Sequence, residues 1–115
     1  MCGLLILIGV AKKGFDGKWG TNWGDMTLRV NGNQVTGDYT HDQGKLKGTL
    51  SPDGRTITAK WSESPSYRAP NDGGMVKFTM AADGQSFQGI WGYGNNLNQK
   101  WWIAKRLSRC PENVE

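Results

Sequence analysis

Histidine and cysteine are scarce in this 115-residue chain, which has one His, His41, and two Cys, Cys2 and Cys110, at opposite ends. A structural zinc site needs about four such ligands at short spacings, so the sequence predicts no metal site. The two cysteines are either unrelated thiols or a bridge joining the termini, because the ends of a compact domain often lie close together. No glycine-rich segment leads into a predicted helix, as a phosphate-binding loop requires, and we predict no cofactor.

Long apolar runs are also lacking. The only strongly apolar run covers residues 4–10 (LLILIGV), which is too short to span a membrane as a helix. It has the length of a signal-peptide core but lacks a basic segment before it. Two interpretations of residues 1–13 therefore stay open, a remnant of an export signal or an apolar arm that covers an exposed edge. Cytoplasmic and exported locations both remain open, and residues 109–115 are interpreted as a tail.

Neither basic nor acidic residues are concentrated in one part of the sequence. The formal net charge is +4, and the basic residues are spread along the chain except for Lys105, Arg106 and Arg109. Domains that bind nucleic acid usually carry a concentrated basic patch, so we predict no nucleic-acid partner. A lone Asp25 and a lone His41 are more typical of solvated surface groups than of an acid–base pair. The sequence therefore predicts no enzyme.

Glycine and tryptophan, by contrast, are abundant, with 17 Gly and six Trp. Glycine serves tight turns, and aromatic residues favour half-buried pleated strands. From residue 15 onward, short segments alternate apolar and polar residues between turn signals such as Asn31-Gly32, which predicts a type I′ hairpin. The alternation predicts eight strands, at residues 18–22, 25–30, 34–40, 45–50, 56–62, 75–80, 86–93 and 99–107.

Evenly spaced short strands of this kind are typical of an all-β fold, an eight-stranded antiparallel up-and-down β-barrel over residues 14–108. Closure removes the sheet edges that an open meander would leave unpaired. Gly37, Gly48 and Gly89 fall at inward positions, which fits the strand bending of a barrel. In the last strand we expect Trp101 and Ile103 to face inward and Trp102 to face outward.

Residues 17–40 resemble the opening of the avidin and streptavidin family of lipocalin-like eight-stranded barrels. The matching residues are Gly17, Trp19, Asn22, Gly24, Met26, Thr27, Thr36, Gly37 and Tyr39. The resemblance implies an up-and-down barrel with a ligand pocket walled by several Trp residues. In that family an Asn, a Ser and a Tyr from these strands hydrogen-bond the ureido group of biotin.

Carried over to this sequence, the resemblance implies that Tyr39 contacts a ligand, and that Asn22 does so with a shift of one residue. Asp25 is the residue nearest to the family's turn Ser, and His41 stands where a small hydroxyl residue is expected. A buried carboxylate without a partner is costly beside a neutral ligand. The pattern therefore favours a ligand other than biotin.

The predicted ligand site lies at the open end of the barrel. The interior of an eight-stranded barrel is either filled by side chains or holds one small ligand, and we expect any cavity where inward glycines leave space. The aromatic and acidic side chains predict a non-enzymatic binder of a small apolar, aromatic or cationic molecule. The apolar run at residues 4–10, together with an outward Trp102, predicts an apolar patch through which the protein forms a homo-oligomer (dimer). The alternative is a packed barrel that acts only through protein contacts. The candidate ligand-binding residues are Asn22, Asp25, Tyr39, His41, Trp61, Trp91 and Trp101.

Overall fold

The structure is a computed structural model that describes residues 14–107, apart from the side chain of Trp101. The segment at residues 1–13, the tail at residues 109–115 and any Cys2–Cys110 bridge lie outside the described residues. The described part contains no helix long and apolar enough to cross a membrane.

The predicted all-β barrel is confirmed. Each strand pairs antiparallel with the next along the chain, and the last pairs with the first, so that one sheet closes on itself. Every predicted strand is present, and each end lies within two residues of its predicted position. The strands are β1 Gly17–Thr21, β2 Gly24–Asn31, β3 Gln34–Tyr39, β4 Gly44–Leu50, β5 Thr56–Ser62, β6 Gly73–Met80, β7 Ser86–Tyr93 and β8 Gln99–Arg106, with a short 3₁₀ turn at His41–Gln43.

The up-and-down order sends alternate connections to opposite ends of the barrel. The connections after β2, β4 and β6 lie at one end together with Phe15, whose ring is buried against Phe87. At this closed end Trp19 is fully buried and its indole N–H donates to the Phe15 carbonyl oxygen at 2.9 Å. The guanidinium of Arg106 lies 4.3 Å from the centre of the Trp19 ring and donates to the Gly84 carbonyl oxygen. These contacts fill the closed end and leave the connections after β1, β3, β5 and β7 at the other, open end.

A β-bulge in β8 changes which residues face the core. Gly89 of β7 lies opposite Trp102, whereas its neighbour Ile90 lies opposite Lys100, so Trp101 is an extra residue in the ladder. An extra residue inverts the inward and outward alternation of everything that follows it.

The predicted orientation of the residues after the bulge is therefore wrong. Trp102 and Ala104 are buried in the core, and Ile103 is 43% exposed on the outer surface. Tyr93, at the end of β7, is 47% exposed. Its ring nevertheless packs against Trp61 and Trp91 at the rim of the open end.

The hairpin between β2 and β3 also differs from its prediction. Asn31 is the last residue of β2, and the turn residues are Gly32 and Asn33. Only Gly32 has a positive φ, 66°, whereas a type I′ turn needs positive φ at both central residues. The type I′ prediction at Asn31-Gly32 is therefore wrong, although the hairpin itself is present.

The inward glycines bring strands close together and do not create space. A Cβ atom added to Gly37 would lie 2.7 Å from the Thr27 carbonyl oxygen and 2.8 Å from the Leu28 side chain. A Cβ on Gly89 would lie 2.6 Å from the carbonyl oxygen of Lys77. The expectation that inward glycines leave room for a ligand is wrong, and the space in this barrel has another origin.

Candidate functional site

A cavity of about 190 Å³ lies at the open end, among the connections after β1, β3, β5 and β7. We call it the end cavity. Pockets for drug-sized ligands usually measure about 300–1,000 Å³, so this one suits a single ring system or part of a larger molecule. Its lining residues are Trp23, His41, Asp42, Trp61, Glu63, Asn71, Asp72, Trp91, Tyr93 and Trp102.

Aromatic rings form the walls of the end cavity and hold one another in place. The ring of Trp91 makes edge-to-face contacts with Trp23, Trp61 and Tyr93, at centroid distances of 5.4, 5.7 and 5.3 Å. Such contacts are a preferred geometry for aromatic pairs. The indole N–H of Trp61 also donates to the Gly92 carbonyl oxygen at 3.1 Å. The walls are therefore positioned by the barrel before any ligand arrives.

The connection between β1 and β2 places Trp23 over the open end. The backbone N–H of Trp23 donates to the Thr21 hydroxyl at 2.8 Å, and that hydroxyl donates to the Gly24 carbonyl oxygen at 2.6 Å. Gly24 has a φ of 95°, which a residue with a side chain rarely adopts. The backbone N–H of His41 donates to the Trp23 carbonyl oxygen at 3.2 Å, so two connections at the open end are tied together.

Acidic groups surround the mouth of the end cavity. The Nε2 atom of His41 lies 3.3 Å from an oxygen of Asp42 and 4.0 Å from Oε1 of Glu63. Asp72 lines the same cavity, and its carboxylate accepts hydrogen bonds from the backbone N–H and the hydroxyl of Ser66. Among the described residues, the lining contains three carboxyl groups and no Lys or Arg. The end cavity is thus acidic in a chain whose formal net charge is +4.

Tyr39 supports the mouth from inside the barrel wall. Its ring is buried and lies edge-on to Trp102 at 5.0 Å, and its hydroxyl donates to Oε2 of Glu63 at 2.6 Å. Burial, and secondarily the Glu63 carboxylate, raises the pKa of the Tyr39 hydroxyl far above its usual value. The hydroxyl therefore stays protonated and fixes one oxygen of Glu63, which leaves Oε1 directed toward His41.

Two indole N–H groups beside the cavity are unsatisfied. The Nε1 atoms of Trp23 and Trp102 are buried and have no hydrogen-bond partner among residues 14–107. Most buried polar groups in proteins are paired, so each exception needs an explanation. Both side chains line the end cavity, which makes a ligand with an acceptor atom one such explanation.

The structure brings together three of the seven predicted ligand-binding residues, His41, Trp61 and Trp91, in the lining of the end cavity. Tyr39 lies behind the lining and acts through Glu63. The side chain of Trp101 lies outside what the structure describes.

The structure places the other two predicted residues away from the cavity lining. The side-chain oxygen of Asn22 accepts a hydrogen bond from the Ile103 backbone N–H at 2.9 Å, which ties the first connection to β8. Asp25 is exposed in β2 opposite Gly20. Neither residue contributes to the end cavity in this conformation.

The remaining lining residues were not predicted from the sequence. Trp102 faces the cavity because of the β8 bulge, and Trp23 lies in a turn, where alternation carries no information. Glu63 and Asp72 lie at the two ends of the long β5–β6 connection, and the Glu63 backbone N–H donates to the Asp72 carbonyl oxygen at 2.8 Å. The cluster of Pro and Gly between them indicates a loop but not which of its side chains turn inward.

A larger groove of about 650 Å³ lies on the outer face of the barrel, alongside the exposed side chains of Lys45, Lys47 and Lys60. Its lining carries charges of both signs: Arg29 pairs with Asp38 at 2.7 Å, and the Nζ atom of Lys45 lies 5.8 Å from the centre of the Tyr67 ring. The end cavity has the converging aromatic and polar groups that ligand sites share, and we take it as the candidate functional site.

Comparison with known proteins finds no matching family model, no similar curated protein and no similar solved structure.

Proposed function

We propose that this protein is a non-enzymatic binder of a small molecule, which enters the end cavity with an aromatic or apolar body and carries positive charge at the mouth. The observation that carries the proposal is the combination of Trp walls and carboxyl groups, without any Lys or Arg among the described lining residues, in a chain that is basic as a whole.

The physical case for a cationic aromatic ligand has two parts. The face of a Trp ring attracts a cation by about 0.5–1 kcal/mol at an exposed site and by about 2 kcal/mol when the contact is desolvated. The carboxyl groups of Asp42, Glu63 and Asp72 add attraction at the mouth and would repel an anion. Because the rings are already held by edge-to-face contacts, little side-chain entropy is lost on binding.

The lining residues also favour binding over catalysis. The described lining contains no Ser, Thr, Cys or Lys that could act as a nucleophile beside His41, and we assign its carboxyl groups to attraction of the cationic ligand. We also propose that the ligand lies among Trp residues, as biotin does in the avidin family, but that its chemistry differs from that of biotin. The charged mouth selects against the neutral ureido group of biotin, and Asn22 is engaged with β8.

The experiment compares a cationic aromatic probe with its neutral counterpart. We expect N-methylquinolinium to quench Trp fluorescence saturably and to raise the melting temperature, because a ligand that binds only the folded state stabilises it. 1-Methylnaphthalene, a neutral analogue that also lacks an acceptor atom, should bind more weakly, as should biotin, a steroid and a flavin. The Trp91→Ala variant should lose the quenching, since Trp91 contacts three of the wall rings.

Two outcomes would contradict the proposal. Equal binding of the cationic and neutral probes would remove the role of the acidic mouth. No saturable shift with any compound would favour the packed barrel that acts through protein contacts, for which the exposed Ile90 and Ile103 on β7 and β8 offer an outer apolar surface.

A further inference from the structure

The mouth of the end cavity brings three potential metal ligands into one place. One potential ligand atom from each of these residues, an imidazole nitrogen of His41 and a carboxylate oxygen each of Asp42 and Glu63, lies within 4.8 Å of the other two. His41 and Asp42 are neighbours in the 3₁₀ turn after β3, and Glu63 follows β5. The fold therefore brings together potential ligands that lie about twenty residues apart in the sequence. A search for the short ligand spacings of zinc motifs does not find them.

The distances suit a small divalent cation. Zinc binds His nitrogen and carboxylate oxygen at about 2.0–2.2 Å in tetrahedral geometry, which separates two ligand atoms by about 3.3–3.6 Å. The His41–Asp42 distance of 3.3 Å falls in this range, the His41–Glu63 distance of 4.0 Å lies above it, and the three ligand atoms lie within 4.8 Å of one another. The side chains of His41 and Asp42 are exposed by 42% and 56%, so small rotations can close the remaining gap.

Glu63 is oriented as metal-ligating carboxylates usually are. One of its oxygens accepts the Tyr39 hydroxyl at 2.6 Å, and the other is the oxygen that lies nearest to His41. Hydrogen bonds of this kind fix the direction of a ligand and contribute strongly to metal affinity. The side chain of Glu63 is only 15% exposed, so this ligand is held by the barrel wall.

Two further observations separate this cluster from a solvated acidic patch. An imidazole nitrogen is one of its members, and no Lys or Arg among the described lining residues neutralises its carboxyl groups. In addition, Trp102 lines the same cavity, is 2% exposed and has an indole N–H without a partner among residues 14–107. A donor in this position favours an occupant that brings an acceptor atom, such as a water molecule or other exogenous ligand on a bound cation.

We propose that His41, Asp42 and Glu63 form a binding site for a first-row divalent transition metal such as Zn²⁺, with its remaining coordination position open toward the end cavity. Three protein ligands plus one open position is the arrangement of zinc sites that accept an exogenous ligand. This inference rests on the proposed function, because the metal ion would be the positive charge, or part of it, that the acidic mouth receives.

The test is titration of untagged, chelator-treated protein with Zn²⁺ by calorimetry. We expect saturable binding of one ion, little heat with Mg²⁺ or Ca²⁺, since imidazole suits transition metals better than these hard cations, and binding at least about tenfold weaker in Asp42→Asn. Asp25→Asn, which removes an exposed carboxylate away from the cavity, is the matched control and should bind as the wild type does. Because His41 is the only His, Zn²⁺ should shift a single set of imidazole signals in an NMR spectrum.

A second variant keeps the test decisive. His41→Gln should weaken Zn²⁺ binding at least as much as Asp42→Asn does, while circular dichroism confirms that both variants fold. Absence of saturable binding, or equal affinity in wild type, His41→Gln and Asp42→Asn, would overturn the proposal and identify only non-specific association with carboxylates.

The failure of this inference is distinguishable from failure of the proposed function. Binding of N-methylquinolinium in the presence of chelator, without specific Zn²⁺ binding, would leave the ligand-binding function and remove the metal site. Specific Zn²⁺ binding without binding of any organic compound would support the metal site and remove the proposed ligand-binding function.

Discussion

A single residue, Tyr39, connects the barrel wall to the mouth of the end cavity. We expect Tyr39→Phe to lower the free energy of unfolding by about 1–2 kcal/mol, because it removes a short hydrogen bond to a carboxylate and leaves Glu63 with one partner fewer. Urea denaturation in metal-free buffer at neutral pH measures the loss, and far-UV circular dichroism checks the fold.

The buried Tyr39 hydroxyl also gives the free energy of unfolding a defined pH dependence. The pKa of Tyr39 is raised in the folded state above its usual value of 10.0, chiefly by burial and then by Glu63. Its contribution is therefore fully present below about pH 10 and is lost as the pH rises above that value, where only the unfolded chain ionises readily. The stability difference between wild type and Tyr39→Phe should shrink above about pH 10. A difference that stays constant through that range would contradict a buried, protonated Tyr39.

Residue-level prediction from the sequence succeeded where alternation along a strand determines direction. Trp61 and Trp91 occupy inward positions near the ends of β5 and β7, so period-two reasoning located them in the cavity wall. Glu63 could not be found in this way, because its direction depends on a loop whose backbone contacts Asp72 and Asp42. Asp42 was recognisable only as part of a turn.

At the scale of strands, β8 shows what a local pattern cannot determine. The strand reads QKWWIAKR, and either Trp could face the core. Pairing with β7 decides between them, because Gly89 opposite Trp102 and the extra Trp101 shift the phase by one residue. The direction of β8 side chains therefore depends on a partner strand and is not encoded in the strand's own alternation.

Strand pairing also leads to a prediction about surface charge. Lys47 of β4 and Lys60 of β5 lie directly opposite each other on the outer face, and neither has an ion pair among the described residues. Like charges in this position are destabilising, whereas opposite charges contribute about 0.2–1 kcal/mol. We expect Lys60→Glu to raise the free energy of unfolding by about that amount, and the gain to decrease at high salt.

Lys77→Glu is the matched control for this charge reversal. Lys77 is also exposed, but it lies opposite Thr58 and Ile90, neither of which is charged. Lys77→Glu changes the net charge by the same amount as Lys60→Glu, but it does not relieve the repulsion between Lys47 and Lys60. Equal stabilisation by the two variants in urea denaturation would show that net charge, and not the Lys47–Lys60 pairing, is responsible.

The two ends of the barrel differ in composition, and we therefore expect them to have different roles. The closed end is sealed by Phe15, Trp19, Phe87 and Arg106, whose contacts with one another connect the chain before β1 to the last strand. The open end has aromatic rings in edge-to-face contact around a cavity, and three carboxyl groups at the mouth of that cavity. Stability should accordingly depend most on the closed end, and ligand affinity on the open end.

This division predicts opposite effects for two aromatic-to-alanine substitutions. Phe15→Ala should cost about 3–5 kcal/mol of unfolding free energy, because it leaves a void beside Trp19 and Phe87. Its affinity for N-methylquinolinium should stay unchanged wherever the variant remains folded. Trp91→Ala should cost less, since its side chain is only partly buried and already borders space, but it should abolish binding. Urea denaturation and fluorescence titration of both variants measure the two quantities. Comparable stability losses combined with equal affinities would mean that the Trp residues of the open end are ordinary core, and the barrel would then have one continuous interior with no ligand site.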